Sequence, residues 1–167
     1  MKKTLILLAA VCCFVLGMRD GQAAFIGESL DFDLPTEIAD AAEAGKRVVV
    51  MFHYSGCPFC SKMRARVFPD PAVDAYYSDK FVLLESNIKG DLEITSPDGK
   101  GMSEKAWATE LRIRATPVII FFDTDGKQAL RITGYFPPER FIAAGRYVHS
   151  GAYKEGISLA RFMRDGR

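Results

Sequence analysis

The segment Gly56-Cys57-Pro58-Phe59-Cys60 lies on a boundary between two kinds of chain. Before it, Arg47-Val48-Val49-Val50-Met51-Phe52-His53-Tyr54 is a nearly continuous apolar run, the pattern of a strand buried on both faces. After it, Ser61-Lys62-Met63-Arg64-Ala65-Arg66-Val67-Phe68 is helical in character, and Pro69 ends it. A buried strand that hands over directly to a helix belongs to an α/β arrangement. The junction puts Cys57 at a helix N-terminus, where unpaired N–H groups and the positive end of the helix dipole favour the thiolate. Cys60 follows one helical turn later, within reach to close an intramolecular disulfide. The pair is built for thiol–disulfide exchange.

Other uses of a C-x-x-C pair fit less well. Zinc normally takes four ligands from two clusters, and beyond the leader described below this chain offers only Cys57, Cys60, His53 and His149. Haem attachment needs a histidine directly after the second cysteine, where Ser61 stands. A purely structural disulfide that closes so short a loop constrains the unfolded chain little. No metal is therefore expected, and no cofactor beyond the disulfide itself. There is no G-x-G-x-x-G after a strand to hold a dinucleotide.

The N-terminus has the features of a signal peptide. Lys2-Lys3 form a basic start, and the apolar run Leu5–Met18 is shorter than the roughly 18 residues a spanning helix needs. Small residues at Gly21-Gln22-Ala23 suit a peptidase, so residues 1–23 are expected to be removed and the protein to be exported to a periplasm. Cys12 and Cys13 invite a lipoprotein reading, but Val11 stands where a small residue would precede a lipidated cysteine. The plainer reading makes both cysteines part of the leader. The exported chain then holds Cys57 and Cys60 alone, which suits an agent acting on other proteins rather than a disulfide scaffold. A formal net charge of +1 gives no sign of nucleic-acid binding.

The rest of the chain alternates helix and strand signals. Asp33 caps a helix over Pro35–Ala44 that stops at Gly45. A second short helix is expected over Pro71–Ser78, and a strand over Phe81–Ile88. Polar residues 89–102, with the turn signal Ser96-Pro97-Asp98-Gly99, read as a small inserted hairpin. Ser103 caps a helix to Leu111, Val118–Asp123 is a strand, and Gln128–Thr133 pairs back through the Asp125-Gly126 turn. Pro138–His149 forms a helix. Residues 24–155 make one domain, and 156–167 a tail with a short helical stretch over Ile157–Met163.

This order, with the dithiol at the first strand-to-helix junction and a closing hairpin and helix, resembles the thioredoxin fold: a central mixed sheet flanked by helices, here with an insertion near 89–102. Within that fold the chain looks most like exported SoxW-type thioredoxins of sulfur-oxidation systems. The likeness rests on Gly56-Cys57-Pro58-Phe59-Cys60, Asn87-Ile88-Lys89-Gly90-Asp91 with its insertion, and Thr116-Pro117. It continues through Phe121–Lys127, Gly134-Tyr135 and Arg146–Tyr153. The resemblance implies a cis Pro117 beside the disulfide, with Thr116 receiving a partner's backbone as an added strand. An X-Pro bond met without that likeness is usually trans.

Cys57 is expected to be the nucleophile, more exposed and of lower pKa, and Cys60 the resolving thiol. Pro58-Phe59 is similar to the Pro-Tyr of glutaredoxins rather than the Gly-Pro of thioredoxin, and that pair tunes redox potential. Thioredoxins carry a buried acid six residues before the first cysteine, where this chain has Met51. Glu85 occupies the place of a nearby thioredoxin lysine. It is either a substitute proton acceptor behind Cys60 or a strand-edge charge facing water. His53 either tunes the thiolate or packs at the sheet end. Tyr54, Phe59, Trp107 and Tyr135 are candidates for an apolar rim, with a contact role assigned to Phe59 alone. Lys62, Arg64 and Arg66 are either solvated or steer an acidic partner.

The resemblance implies a disulfide reductase for exported protein thiols and disulfides, within a thiosulfate-oxidation pathway, re-reduced by a membrane electron donor of the DsbD/CcdA type. Two alternatives stay open. One is the same fold run as an oxidase or isomerase. The other is a Cu(I) metallochaperone using Cys57 and Cys60 with His53.

Overall fold

The structure, a computed structural model, describes Phe25 and residues 32–166. The expected leader, 1–23, with Cys12 and Cys13, lies outside the described residues.

Local sequence accounts for most of the elements. Helix α1 (Leu34–Glu43) begins where the Asp33 carboxylate accepts the Thr36 N–H at 3.0 Å, and it buries Leu34, Ile38 and Ala41. Strand β1 (Arg47–His53) leads into α2 (Pro58–Arg66). The helix expected to reach Phe68 stops two residues earlier, because Val67 and Phe68 both donate to the Met63 carbonyl and fold into the core. Helix α3 (Pro71–Lys80) is capped by Asp70 and followed by β2 (Phe81–Asn87). The inserted hairpin is present as β3 (Glu93–Thr95) and β4 (Gly101–Ser103). Then come α4 (Glu104–Glu110), β5 (Val118–Phe122), β6 (Gln128–Thr133) and α5 (Pro138–His149). A 3₁₀ turn over Ala152–Glu155, which the sequence patterns did not reveal, precedes α6 (Leu159–Arg164). No helix among the described residues is long and apolar enough to cross a membrane.

The four main strands form one mixed sheet in the order β2-β1-β5-β6. Strand β1 runs parallel to β2 and antiparallel to β5, and β6 is antiparallel to β5. Successive side chains of β1 point to opposite faces. Val49 and Met51 join Met63 of α2, Tyr77 of α3 and Phe141 of α5 in one core. Val48, Val50 and Phe52 join Ile38 of α1 and Trp107 of α4 in the other. A strand covered on both faces has to be apolar throughout, as Val48–Phe52 is. The C-terminal ends of β1 and β2 therefore share one edge. The turn into α2 and the inserted hairpin both leave from that edge.

At the opposite end, buried Asp123 accepts from Arg47 Nε at 3.3 Å and from Lys154 Nζ at 2.6 Å. His149 Nδ1 lies 3.2 Å from Arg47, a packing position remote from the cysteines.

Helices α3 and α5 approach each other closely. The Tyr77 ring stacks on Phe141 at 4.3 Å, and its hydroxyl donates to the Phe141 carbonyl at 2.7 Å. Gly145, one turn along, leaves no room for a side chain. A Cβ there would lie 2.9 Å from Tyr76 Cε1 and 3.0 Å from the Tyr77 hydroxyl oxygen. Gly145→Ala is expected to destabilise the protein by about 1–3 kcal/mol through overpacking. An unchanged urea midpoint would show that the two helices do not meet this way.

Candidate active site

The site starts from the turn that ends β1. The Cys57 N–H donates to the Tyr54 carbonyl at 3.2 Å, and Gly56 has φ +87°, a left-handed conformation that suits glycine. Pro58 is the first residue of α2, where its missing N–H leaves nothing unpaired. Cys57 is the N-cap of that helix. Its Sγ accepts the Cys60 N–H at 3.1 Å, so a sulfur takes the place usually held by a Ser or Asp oxygen. The two cysteines are joined in a disulfide.

A second chain segment completes the site. The Thr116–Pro117 peptide bond is cis, and Pro117 leads into β5. The antiparallel register sets Val118 opposite Phe52, one residue before the end of β1. Thr116 is thereby carried to the dithiol, and its hydroxyl donates to Cys57 Sγ at 3.1 Å. The expected difference in exposure between the thiols is small in this oxidised state. Cys57 is 2% exposed and Cys60 0%, and the Thr116 hydroxyl stands against the first sulfur. Phe59, in contrast, is 55% exposed directly between them in sequence.

Glu85 is neither a free base nor a water-facing edge charge. Arg64 Nε donates to its two carboxylate oxygens at 2.9 and 3.0 Å, and Arg64 also binds Glu85 Oε2 through its NH2 group. His53 Nε2 lies 3.6 Å from the same Oε2. The three ionisable groups come from β2, α2 and β1. Burial chiefly lowers the His53 pKa, and Arg64 lowers it further. Glu85, Glu104 and a hydrogen bond with the Tyr54 backbone pull the other way. Met51, at the place of the thioredoxin acid, is fully buried in the apolar core.

Glu104 is a site-edge residue that the sequence patterns missed. It is only 6% exposed, and its Oε1 accepts the Asn87 N–H at 2.7 Å. A Cβ at Gly90 would run into the same carboxylate, so a side chain there would have to displace it. The inserted hairpin is thus pinned to the end of β2. A glutamate in the first turn of a capped helix normally faces water, so its spacing gave no signal.

The aromatic candidates separate. Trp107 is core, 4.8 Å from the Phe52 ring. Tyr54 and Tyr135 instead carry cations, Lys89 at 4.7 Å and Lys62 at 4.2 Å from their ring centres. Lys62 and Arg64 thus have local partners on the face of α2. Among the described residues, no group of three or more His, Cys, Asp or Glu side chains is placed to hold a metal ion. His53 turns Nε2 to Glu85.

The mixed four-stranded sheet, the dithiol at the head of α2 and the cis-proline loop beside it define a thioredoxin-like fold. A family profile described as "Thioredoxin-like domain" matches residues 34–149, and the chain belongs to that family. It is 28% identical over 151 residues to the "Thiol:disulfide interchange protein DsbD" of Pectobacterium atrosepticum. That alignment takes in 83% of this chain and 24% of the relative, so the chain spans about a quarter of that protein's length. In structure it is similar to a thioredoxin-fold protein from Helicobacter pylori, with a TM-score of 0.59 and 21% identity over 72% of this chain and 80% of that one. It is also similar to the oxidised C-terminal domain of Neisseria meningitidis DsbD, with a TM-score of 0.50 and 19% identity over 68% and 90%. These two likenesses concern the fold. Together with the Cys57–Cys60 disulfide, the family makes this chain a thiol–disulfide oxidoreductase.

The Thr116 hydroxyl is an unusually direct handle on this site. A hydrogen bond to a charged acceptor contributes about 1.5–3 kcal/mol, and one pKa unit is about 1.4 kcal/mol. Thr116→Val is therefore expected to raise the Cys57 thiol pKa by roughly one unit and make the disulfide harder to reduce. Titration of thiolate absorbance in the reduced protein checks this. An unchanged pKa would mean that the hydroxyl turns away from the sulfur on reduction.

Proposed function

We propose that this chain is an exported reductase of protein disulfides that works through Cys57 and Cys60. The reducing direction rests on the likeness to SoxW-type thioredoxins. The observation that carries the role of Cys57 as the attacking thiol is the environment of its Sγ, which caps a helix N-terminus and accepts from both Cys60 N–H and the Thr116 hydroxyl. Each of these favours a sulfur anion. As a thiolate, Cys57 attacks one sulfur of a partner disulfide. That S–S bond breaks, a mixed disulfide forms, and the other partner sulfur leaves as a thiolate. Cys60 then attacks Cys57 Sγ, the partner's second thiol is released, and the Cys57–Cys60 disulfide remains. Two electrons pass from the protein to its partner.

Thr116 and Pro117 take the partner's backbone in extended form beside the sulfurs, and exposed Phe59 offers an apolar contact next to it. Pro58 and Phe59 contribute to the potential. The leader features of residues 1–23 support export to a periplasm. An oxidising periplasm requires an outside source of electrons for the spent disulfide. The DsbD relatives support a membrane donor of the DsbD/CcdA type. The likeness to SoxW-type thioredoxins supports a carrier cysteine of a sulfur-oxidation system as the protein served.

One observation favours the reverse direction. The same hydrogen bonds that stabilise the Cys57 thiolate stabilise the reduced protein, and a stable reduced form is what makes an oxidant. Reduction potential therefore decides between the two. A value near that of thioredoxin, about −270 mV, supports the reductase, and one near about −120 mV makes the protein an oxidase of exported thiols. Cys57→Ser is expected to abolish disulfide reduction of insulin. Cys60→Ser is expected to arrest the protein as a mixed disulfide, which non-reducing electrophoresis detects.

A further inference from the structure

The exchange just described releases a proton from Cys60 and leaves open where it goes. In this chain no carboxylate stands at position 51, where a buried methionine fills the apolar core. One ionic cluster lies at the dithiol end of the sheet instead. Cys60 and Arg64 are four residues apart on α2 and share a face of the helix, one turn apart. Arg64 grips Glu85 of β2. Glu85 is paired in register with Met51, two residues before His53 and on the same face of β1. His53 Nε2 reaches within 3.6 Å of Glu85. From His53 the chain needs a single tight turn, closed by Cys57 N–H on the Tyr54 carbonyl, to arrive at the helix that carries both sulfurs.

We propose that His53 accepts the proton of Cys60 when Cys60 resolves the mixed disulfide, with Glu85 stabilising the imidazolium that forms and Arg64 holding Glu85 in place. The inference rests on the reading of Cys60 as the resolving thiol. In this step the Cys60 S–H bond breaks and the proton passes to the unprotonated ring nitrogen of His53. The sulfur's electron pair forms the bond to Cys57 Sγ. The Cys57–partner bond breaks, the partner sulfur leaves with that electron pair, and the imidazolium returns the proton to it. No outside oxidant or reductant enters.

The charges around His53 suit this task. Burial is the main influence that favours the neutral ring, and Arg64 of α2 acts in the same direction. Glu85 of β2, Glu104 of α4 and the Tyr54 backbone favour the protonated ring. A group pulled both ways accepts and returns a proton at small cost. Glu85 itself is poorly placed to be the base. Both of its oxygens accept from Arg64, and protonation would sacrifice charge-assisted hydrogen bonds.

The test follows two rates separately over pH 5–9 with oxidised glutathione as the disulfide. Mixed-disulfide formation is read on a Cys60→Ser background, and resolution is read as decay of the mixed disulfide in protein that keeps Cys60. His53→Gln is expected to slow resolution roughly ten-fold near neutral pH and to leave mixed-disulfide formation unchanged. Its resolution rate should climb steadily with pH, following ionisation of Cys60 by hydroxide. Added imidazole should restore part of the loss. Glu85→Gln is expected to slow resolution less than His53→Gln does and to leave mixed-disulfide formation unchanged. It serves as the second variant if His53→Gln fails to fold by circular dichroism. Unchanged resolution in a folded variant overturns the proposal, as does an equal loss in both rates. If Cys60→Ser traps no mixed disulfide, the resolving role of Cys60 fails instead, and the two failures are told apart.

Discussion

The pairing of β1 with β5 is the constraint on which the site depends. Neither segment carries the chemistry alone. Strand β1 delivers Cys57 to the head of α2, and β5 begins at Pro117. Antiparallel register from Phe52–Val118 to Val49–Phe121 fixes how far one slides along the other. A slip of one residue would turn every side chain of β5 to the opposite face, moving Ile119 and Phe121 out of one core and Val118, Ile120 and Phe122 out of the other. Because both faces are buried, that slip is strongly disfavoured. A residue fifty-nine positions from Cys57 in sequence is thereby held 3.1 Å from its sulfur. The packing of two hydrophobic cores is thus converted into the position of one hydroxyl.

Much of this was legible in the chain. The run Val48–Phe52 announces a doubly buried strand, Asp33 and Ser103 stand where helices start, and Asp125-Gly126 marks the last hairpin. These signals are local, so spacing alone carries them. The inserted hairpin was legible for the same reason, from Ser96-Pro97-Asp98-Gly99, whose residues close the turn through bonds among Ser96, Asp98 and Lys100. What escaped the sequence patterns depends on contacts between distant segments. Glu104 looks like an ordinary acidic residue in a first helical turn, and only the end of β2 folding over it makes it a buried anchor. Arg64 looks like one of three solvated cations on α2 until β2 places Glu85 beneath it. The end of α2 differs from expectation because tertiary burial of Val67 and Phe68 overrides their fitness to continue the helix.

The ionic cluster also shows how charge is tolerated beside an apolar core. An isolated carboxylate fully buried behind the dithiol would carry a large desolvation cost unless paired. In this chain the core position goes to Met51, and the carboxylate sits one strand away with its side chain 22% exposed. There Arg64 is within reach, and its own side chain is 37% exposed. Partial exposure lowers the cost of keeping both ions, while the two-pronged contact fixes the carboxylate's direction. The direction matters more than the energy, because an exposed pair of this kind contributes little to stability.

This arrangement separates two jobs that one buried acid would have to combine. A lone acid near a resolving thiol must hold a negative charge in a dry site and also give up that charge when it takes the proton. The first demand favours a low pKa and the second a high one. Dividing the work between Glu85 and His53 removes the conflict. Arg64 holds the Glu85 carboxylate in place through paired hydrogen bonds, and the imidazole takes up the proton beside it. The incoming proton creates a cation beside a carboxylate that Arg64 positions, rather than erasing an anion inside a core. Electrostatic stabilisation is then already in place when the proton arrives, and no large reorganisation is needed. The cost of that solution is three residues from three elements held in mutual reach. The parallel register of β1 with β2, which sets Met51 opposite Glu85 and His53 opposite Asn87, supplies that placement through the same sheet that orders the sulfurs.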